Sequence, residues 1–483
     1  MHASSTRSMT SVISVTPVTA VTLAVPLFLA VLCLPARTQE GPPDEFDDQD
    51  ALPKEGRILE IVRSIEEAST PDLWPGFRPS TVPVALFDGR RTWLHRHPAP
   101  PEEFRPHPGR EDLHLMEGRH PAMRGNTSTE VAGEETATIL LPLLEDFPEA
   151  KDVAGVALHE AFHVFQKRKH PSWGPGGMGL DNPVTEARLL ALRRTETALL
   201  REALREADPD RARSHAAAAL EVREQRFSQL PPSIVRFERG IELLEGTAQH
   251  VQVTATGSRA GLRDLPRGGF APEELHMRSY AVGLALTRLL ERFLPGWETA
   301  VETEETVALG ALLEDVAGDA AATDWRPVYA QELEEARRDV RRVMASRDSL
   351  RKEFLERPGP SVVLLASEAS PLQPRGMDPM NLHVVAEDQV LHTRWLKLGH
   401  PTGTAEVLDR SALTRGAGGA PLRRGFLRVT LTGLQGNLSV REEGDEIVIR
   451  ANGFQGRFHG AGVRRTGEQI TVRLSSGSAE SPS

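Results

Sequence analysis

The pattern of apolar and polar residues divides the chain into a helical part and a strand-rich part. Between residues 57 and 357, apolar residues recur mostly at the three- and four-residue spacing of amphipathic helices. Over 361–483 they alternate with polar residues and glycines, in runs such as FLRVTLTG, EIVIRA and QITVRL. Such alternation predicts an antiparallel meander that forms a small sandwich or barrel. We therefore expect an α+β fold that is mostly helical at first and all-β at its C-terminal end.

The helical part also contains a few strand-like runs. They lie at 82–89, 92–97 and 136–144 and predict a small mixed sheet, whereas the rest of 70–125 is rich in proline and predicts loops. Helical spacing predicts helices over 57–69, 150–169, 185–230, 232–254, 273–294, 306–316 and 326–356. The sequence Asp208-Pro209-Asp210 interrupts the third of these stretches, which predicts a helical hairpin.

The composition excludes several kinds of partner and site. The chain has 68 acidic and 57 basic residues and a net charge of −11, which argues against nucleic acid as the main partner. Its single cysteine, Cys33, excludes an intramolecular disulfide and a zinc cluster built from cysteines. A bound metal ion would therefore need histidine, aspartate or glutamate ligands.

The first 56 residues have the composition of an export signal followed by a tether. Residues 1–38 combine a polar start containing Arg7, an almost entirely apolar run and a small residue, Ala36, at a plausible cleavage point. Residues 39–56 are acidic and proline-rich and predict a linker. We expect a cleaved signal peptide on a secreted or periplasmic protein with no later membrane span. An uncleaved membrane anchor is the alternative.

One motif carries chemistry, the HExxH sequence His159-Glu160-Ala161-Phe162-His163. On a helix, two histidines four residues apart lie on one face, one turn apart, so their imidazoles can bind one metal ion. Glu160 flanks such an ion, and from there it can take a proton from a metal-bound water. The surrounding helix is apolar on nearly every side, and buried ionisable groups are costly unless they are paired or bound to metal. A pair of hydrogen-bonded core histidines is the other interpretation.

A third ligand must come from elsewhere in the chain. The segment RGIELLEGTAQHVQ, residues 239–252, predicts a second helix that offers Glu242, Glu245 and His250. All three side chains can bind zinc. The residues of this segment leave the choice among them open.

HEAFH followed downstream by EGTA resembles the gluzincin metallopeptidases, the clan of thermolysin-like and aminopeptidase-like enzymes. The resemblance implies a Zn²⁺ ion held by His159, His163 and Glu245, with Glu160 as the general base. It also implies a catalytic domain over residues 57–357. In these enzymes the two ligand helices approach closely, which suits the small residues that follow Glu245.

The chain departs from thermolysin-like enzymes in two respects. First, 81 residues separate His163 from Glu245, and the helical block 185–230 is a candidate insertion that accounts for most of them. Second, Gln249 stands where those enzymes have an aspartate that orients the first zinc histidine. The resemblance implies that the Gln249 amide oxygen accepts the imidazole N–H of that histidine instead.

The resemblance implies two further contributions. A downstream tyrosine stabilises the oxyanion in aminopeptidase-like members, and Tyr280 is the candidate here, with His276 behind it. An edge strand near the zinc pairs with the substrate backbone in this clan, and Ala137–Leu141 is the candidate strand. The alternative is that these residues form an ordinary core strand.

We therefore expect a secreted zinc-dependent hydrolase that acts on a peptide or protein substrate. Zinc-activated water would attack the peptide carbonyl while Glu160 takes up the proton. Residues 361–483 would form an accessory β-rich domain. Two alternatives remain: a non-catalytic, zinc-stabilised binding module, and a hydrolase of the same clan that acts on a non-peptide bond.

Overall fold

The computed structural model describes residues 55–475, with gaps that are given at the end of this paragraph. The expected signal peptide and nearly all of the expected acidic linker lie outside the described residues. Among the helices that are described, none combines the length and the apolar character needed to cross a membrane. The gaps are residues 178, 180–181, 304–307, 379–380, 420–421, 423 and 435–437.

The chain has a mixed α/β structure in which the helices come mainly before the two larger sheets. The described helices are α1 (Glu55–Ala68), α2 (Ala150–Lys169), α3 (Ala187–Arg205), α4 (Pro209–Phe227), α5 (Pro232–Thr256), α6 (Leu275–Phe293), α7 (Trp297–Thr303), α8 (Leu309–Ala317) and α9 (Arg326–Leu355). Most predicted helices are present within a few residues of their expected ends. The short helix α7 was not predicted, because seven residues give too little periodicity to recognise.

Six strands form the first sheet, β1 (Val84–Phe87), β2 (Arg91–His95), β3 (Arg105–His107), β4 (Arg110–Glu117), β5 (Thr127–Val131) and β6 (Glu134–Leu140). Their order is β3-β4-β2-β1-β6-β5, and the sheet is mixed because β1 and β6 are parallel. The prediction of loops throughout the rest of 70–125 is therefore wrong for β3 and β4. Strand β4, with sequence REDLHLME, buries only Leu113, so its polar residues hide the alternation.

Strand β6 is not an edge strand, so the expectation that Ala137–Leu141 pairs with a substrate backbone is wrong. It is hydrogen-bonded to β1 on one side and to β5 on the other. The edge on this side of the sheet is β5. Both β5 and β6 pack against α2.

Helix α2 is buried on most of its surface, and fourteen of its twenty residues are buried. It lies between the first sheet and helix α5. The absence of a side chain at Gly155 permits this approach, because a Cβ atom there would lie 2.9 Å from Thr256 Oγ1 of α5.

Helix α5 packs on its other side against α6 through two glycines. A Cβ atom at Gly246 would lie 2.6 Å from the carbonyl carbon of Gly283, so only glycine allows the two backbones to come this close. These glycines hold α5 between α2 and α6.

The predicted helical hairpin is present as α3 and α4. Asp208 caps α4 by accepting hydrogen bonds from the backbone N–H groups of Asp210 and Arg211, and Pro209 occupies the first helical turn. Helix α3 also packs against α6 and α9.

A buried network of ion pairs joins α3, α4, α5 and α6. Arg226 binds Glu196 at 2.9 Å and Glu238 at 2.6 Å, and Arg278 binds the same two carboxylates at 2.7 and 2.9 Å. Arg223 binds Glu196 at 2.8 Å and also contacts Glu242. Buried charges are costly unless they are paired, so the network fixes the four helices in one arrangement.

After α9 the described residues form two sheets built from strands β7 (Ser361–Leu365), β8 (Gln373–Met377), β9 (Leu382–Ala386), β10 (Gln389–His392), β11 (Trp395–His400), β12 (Gly403–Leu408), β13 (Ala412–Gly416), β14 (Phe426–Leu431), β15 (Ser439–Glu443), β16 (Glu446–Ala451), β17 (Phe454–His459), β18 (Gly462–Thr466) and β19 (Gln469–Arg473). Their orders are β18-β19-β7-β14-β13-β10-β9 and β15-β16-β17-β12-β11-β8. The two sheets share one hydrophobic core. Antiparallel pairing is confirmed for the described strands of these sheets apart from the pairing of β19 with β7, which is parallel. The strand orders also differ from those of a meander, so that part of the prediction is wrong.

The glycine contact between α5 and α6 predicts that Gly246→Ala is destabilising. The added methyl group has to displace the Gly283 backbone, and overpacking of this kind costs about 1–3 kcal/mol in free energy of unfolding. Gly56→Ala on α1 is the matched control, because no atom lies within 4 Å of a Cβ there and alanine favours a helix by up to about 1 kcal/mol. Urea unfolding measures both variants. Equal free energies of unfolding for the two variants would contradict the close approach of α5 and α6.

The ion-pair network predicts a pH-dependent contribution from Glu196. Burial opposes its ionisation, but Arg226, Arg278 and Arg223 lower its pKa from 4.5 to about 2. A pKa that is lower in the folded protein stabilises the fold above pH 4.5, and this stabilisation is lost as the pH falls toward 2. We expect Glu196→Gln to cost about 3–5 kcal/mol near neutral pH and progressively less in acid.

Urea unfolding of wild type and Glu196→Gln between about pH 7 and about pH 3 tests this expectation. Glu221→Gln is the control, because Glu221 is exposed on α4 and is solvated in both the folded and the unfolded chain. A stability difference between wild type and Glu196→Gln that does not change with pH would contradict the assignment.

Candidate metal centre

Helices α2 and α5 bring three ligand atoms together in the core. His159 Nε2 and His163 Nε2 lie 3.1 Å apart, and Glu245 Oε2 lies 3.4 Å from the first nitrogen and 3.5 Å from the second. Two imidazole nitrogens and one carboxylate oxygen form the set of protein ligands that many catalytic zinc sites use. The structure therefore joins the three residues that the sequence motif and the EGTA segment pointed to.

The other two candidates for the third ligand have different partners. The Glu242 carboxylate contacts the Arg223 guanidinium, while the His250 imidazole lies 3.4 Å from Glu298. Among the residues that the structure describes, Glu245 is the one of these three candidates that forms a possible metal-binding group with His159 and His163.

The ligand group is buried, and its electrostatics favour a cation at its centre. His159, His163 and Glu245 are 2%, 4% and 0% exposed, and neither oxygen of Glu245 has a hydrogen-bond partner within the described chain. A buried carboxylate without such a partner is costly, and a metal ion bound by all three side chains would remove that cost. The residues therefore fit a zinc ion.

The pKa values of these groups show how strongly they interact. Burial opposes ionisation of Glu245, but the positive charge of His163 and the close approach of both imidazole rings hold its pKa below the ordinary range. Burial alone would lower the pKa of His163, but the Glu245 charge raises it to about 9. Burial lowers the pKa of His159. Binding of a metal ion at this centre would therefore compete with protonation of His163.

Glu160 directly follows His159 on α2, is fully buried, and acts through its charge on His163. Neither of its carboxylate oxygens has a hydrogen-bond partner within the described ranges. Burial raises its pKa to about 8, so near neutral pH it can hold or release a proton. A general base needs this property.

Sequence reasoning missed one residue of the centre, Gln166. Its amide oxygen lies 2.6 Å from His163 Nδ1, and its amide nitrogen donates to Leu244 O and to Thr247 Oγ1, each at 2.9 Å. Gln166 stands three residues after His163 on the same helix face. This spacing was the available signal, but a lone glutamine near the end of a helix looks like a surface residue.

The expected hydrogen bond between His159 and Gln249 is not formed. His159 Nδ1 and Gln249 Oε1 are both buried, and each lacks a hydrogen-bond partner among the residues described. Gln249 follows Glu245 by one helical turn, so the two residues lie on the same side of α5. Even so, the Gln249 amide oxygen does not hydrogen-bond with His159 Nδ1. Its role as support for the first zinc histidine stays a prediction.

Tyr280 lies on α6, half-buried, with its ring stacked on His276 at a centroid distance of 5.0 Å. The His276 ring also approaches Phe237 of α5. Desolvation lowers the pKa of His276 and the charge of Glu245 opposes this shift, so the His276 imidazole is within electrostatic reach of Glu245. Stabilisation of an oxyanion by Tyr280 or His276 stays a prediction.

A second group of possible ligands, Glu66, His95 and Asp112, is better explained as an ion-pair cluster. The Arg110 guanidinium binds both carboxylates, and Asp112 accepts at 2.9 and 3.1 Å. Arg96 adds a further positive charge that acts on His95. Two guanidinium groups repel a metal ion, so we assign these residues a structural role.

No protein-family model, curated protein or solved structure matches this chain. The likeness to gluzincins therefore rests on the motif residues and on the geometry described above. Any function has to be inferred from the site itself.

The ligand geometry predicts one zinc ion per chain, bound through Glu245. Glu245→Ala should weaken zinc binding by more than roughly 100-fold, since one of three protein ligands is lost. His250→Asn is the control, because His250 faces Glu298 rather than the centre, and it should bind zinc as the wild type does. Elemental analysis after dialysis, together with the rise in Tm on adding Zn²⁺, measures both. If the Glu245→Ala variant bound a full equivalent of zinc, the third ligand would have to be another residue.

Proposed function

We propose that this protein is a zinc-dependent hydrolase of the gluzincin type that cleaves peptide bonds. The observation that supports this proposal is the convergence of His159, His163 and Glu245 beside the buried carboxylate of Glu160. A structural zinc site has no need for an additional carboxylate of this kind, whereas hydrolysis needs a base next to the water that attacks.

His159, His163 and Glu245 would hold the zinc ion, with Glu160 beside it. Zinc bound there would acidify a water molecule and stabilise negative charge on a carbonyl oxygen. Glu160 would accept the proton of the attacking water and pass it to the leaving amine, which accounts for a carboxyl group whose burial raises its pKa. His276 and Tyr280 are the candidates to donate a hydrogen bond to the developing oxyanion.

The proposal extends to the rest of the chain. Residues 57–357 would form the catalytic domain, 361–483 an accessory β-rich domain, and the protein would be secreted or periplasmic. An extended peptide or protein substrate could add to the sheet at β5, the edge strand that packs against α2. This strand replaces the predicted one, since β6 is already paired on both sides.

The burial of the centre supports a second candidate function, a non-catalytic binding module stabilised by zinc. The three ligands are at most 4% exposed, as in structural metal sites, and the metal would then hold α2 against α5. The Glu160 carboxylate has no role in this alternative.

Glu160→Gln separates the two functions. Because the amide cannot accept a proton, we expect zinc binding to be kept while peptide hydrolysis falls roughly 10²–10⁴-fold. Glu149→Gln is the control, since Glu149 is an exposed residue next to the start of α2. Turnover of a pooled set of fluorogenic peptides, measured with zinc content, reports the effect.

Two results would contradict the proposal. Unchanged turnover in zinc-loaded Glu160→Gln would remove the general-base role. Zinc-loaded wild type that hydrolyses none of the peptides, with a Tm that depends on zinc, would favour the binding module.

A further inference from the structure

We propose that Gln166 is a positioning residue that fixes the tautomer of His163 and ties its imidazole to the helix that carries Glu245. This inference rests on the proposed zinc centre. It assigns a specific role to a buried amide that neither the motif nor the resemblance contains.

The orientation of the Gln166 amide follows from its partners. Leu244 contributes a backbone carbonyl, which can only accept, so the amide atom 2.9 Å from it must be the NH₂ group. The same NH₂ group donates its second hydrogen to Thr247 Oγ1, whose hydroxyl donates in turn to Leu243 O at 2.7 Å. The amide oxygen of Gln166 therefore faces His163.

This orientation determines where His163 carries its proton. The Gln166 oxygen cannot donate, so His163 Nδ1 must be protonated to make the 2.6 Å hydrogen bond. In a neutral ring, Nε2 then keeps its lone pair, and Nε2 is the atom that faces His159 and Glu245. The tautomer that Gln166 selects is the one that can bind a metal ion through Nε2.

The same amide also joins the two ligand helices. Leu244 directly precedes Glu245, and Thr247 follows it by two residues, so both acceptors belong to the helical turn that presents the third ligand. Gln166 and Thr247 are 1% and 0% exposed, so water does not compete for these hydrogen bonds. A movement of α5 relative to α2 would break these hydrogen bonds. They therefore keep Glu245 in a fixed position relative to His163.

Three variants of the full chain test the role of Gln166. Gln166→Leu removes every hydrogen bond, while Gln166→Glu keeps an acceptor for His163 Nδ1–H but cannot donate to Leu244. Gln252→Leu is the matched control, because it makes the same change at a buried glutamine whose amide binds Ala260 O. All three are compared by zinc affinity in competition with a chromophoric chelator. The imidazole N–H correlations of ¹⁵N-histidine-labelled protein are recorded with and without zinc.

For Gln166→Leu we expect zinc to bind roughly 10–100-fold more weakly and the protected Nδ1–H signal of His163 to disappear. Gln166→Glu should keep that signal and recover part of the affinity. Gln252→Leu should keep both the signal and the affinity, even if its Tm falls.

The outcomes separate this inference from the proposed function. Unchanged affinity and an unchanged Nδ1–H signal in Gln166→Leu, while Glu245→Ala loses zinc, would overturn the role of Gln166 and leave the metal centre intact. A loss of affinity as large in Gln252→Leu as in Gln166→Leu would also overturn it, by showing a general effect on folding. Failure of the wild type to bind zinc would overturn the metal centre, and with it this inference.

Discussion

Helices α2 and α5 touch through a glycine and a buried amide, and the proposed metal centre depends on this contact. Gly155 lets the side chains of α5 approach α2, and Gln166 hydrogen-bonds across the gap. The ligand atoms come from both helices, so a relative shift of about 1 Å would change the distances of Glu245 to both histidines. The buried ion-pair network also reaches α5, where Glu238 pairs with Arg226 and Arg278.

Much of the helical framework and part of the site follow from the sequence. Long apolar periodicity located α2 and α5 to within about two residues, because such helices are buried against neighbours whatever the tertiary arrangement. The HExxH spacing placed His159 and His163 on one helix face, which is a property of the helix alone. Local geometry was sufficient for both inferences, since neither depends on a distant partner.

Features that depend on distant partners could not be predicted in this way. Glu242 and Glu245 lie one turn apart on α5, so periodicity treats them alike, and only the resemblance to gluzincins favoured Glu245. In the described structure, Arg223 of α4 contacts Glu242, while both histidines of α2 approach Glu245. Two of the partners of Gln166, Leu244 and Thr247, lie 78 and 81 residues away in sequence, beyond any local pattern. Strand β4 is held in its sheet by pairing with β2 and β3 rather than by its own largely polar sequence.

The long separation between the ligands has a consequence for assembly. In the sequence, the hairpin of α3 and α4 separates α2, which carries His163, from α5, which carries Glu245. Two arginines of the hairpin bind carboxylates on α5. Helices α2 and α5 therefore meet only when this long segment of chain is closed. A metal ion bound by His159, His163 and Glu245 would stabilise that closed arrangement, so zinc binding and docking of the hairpin would be thermodynamically linked.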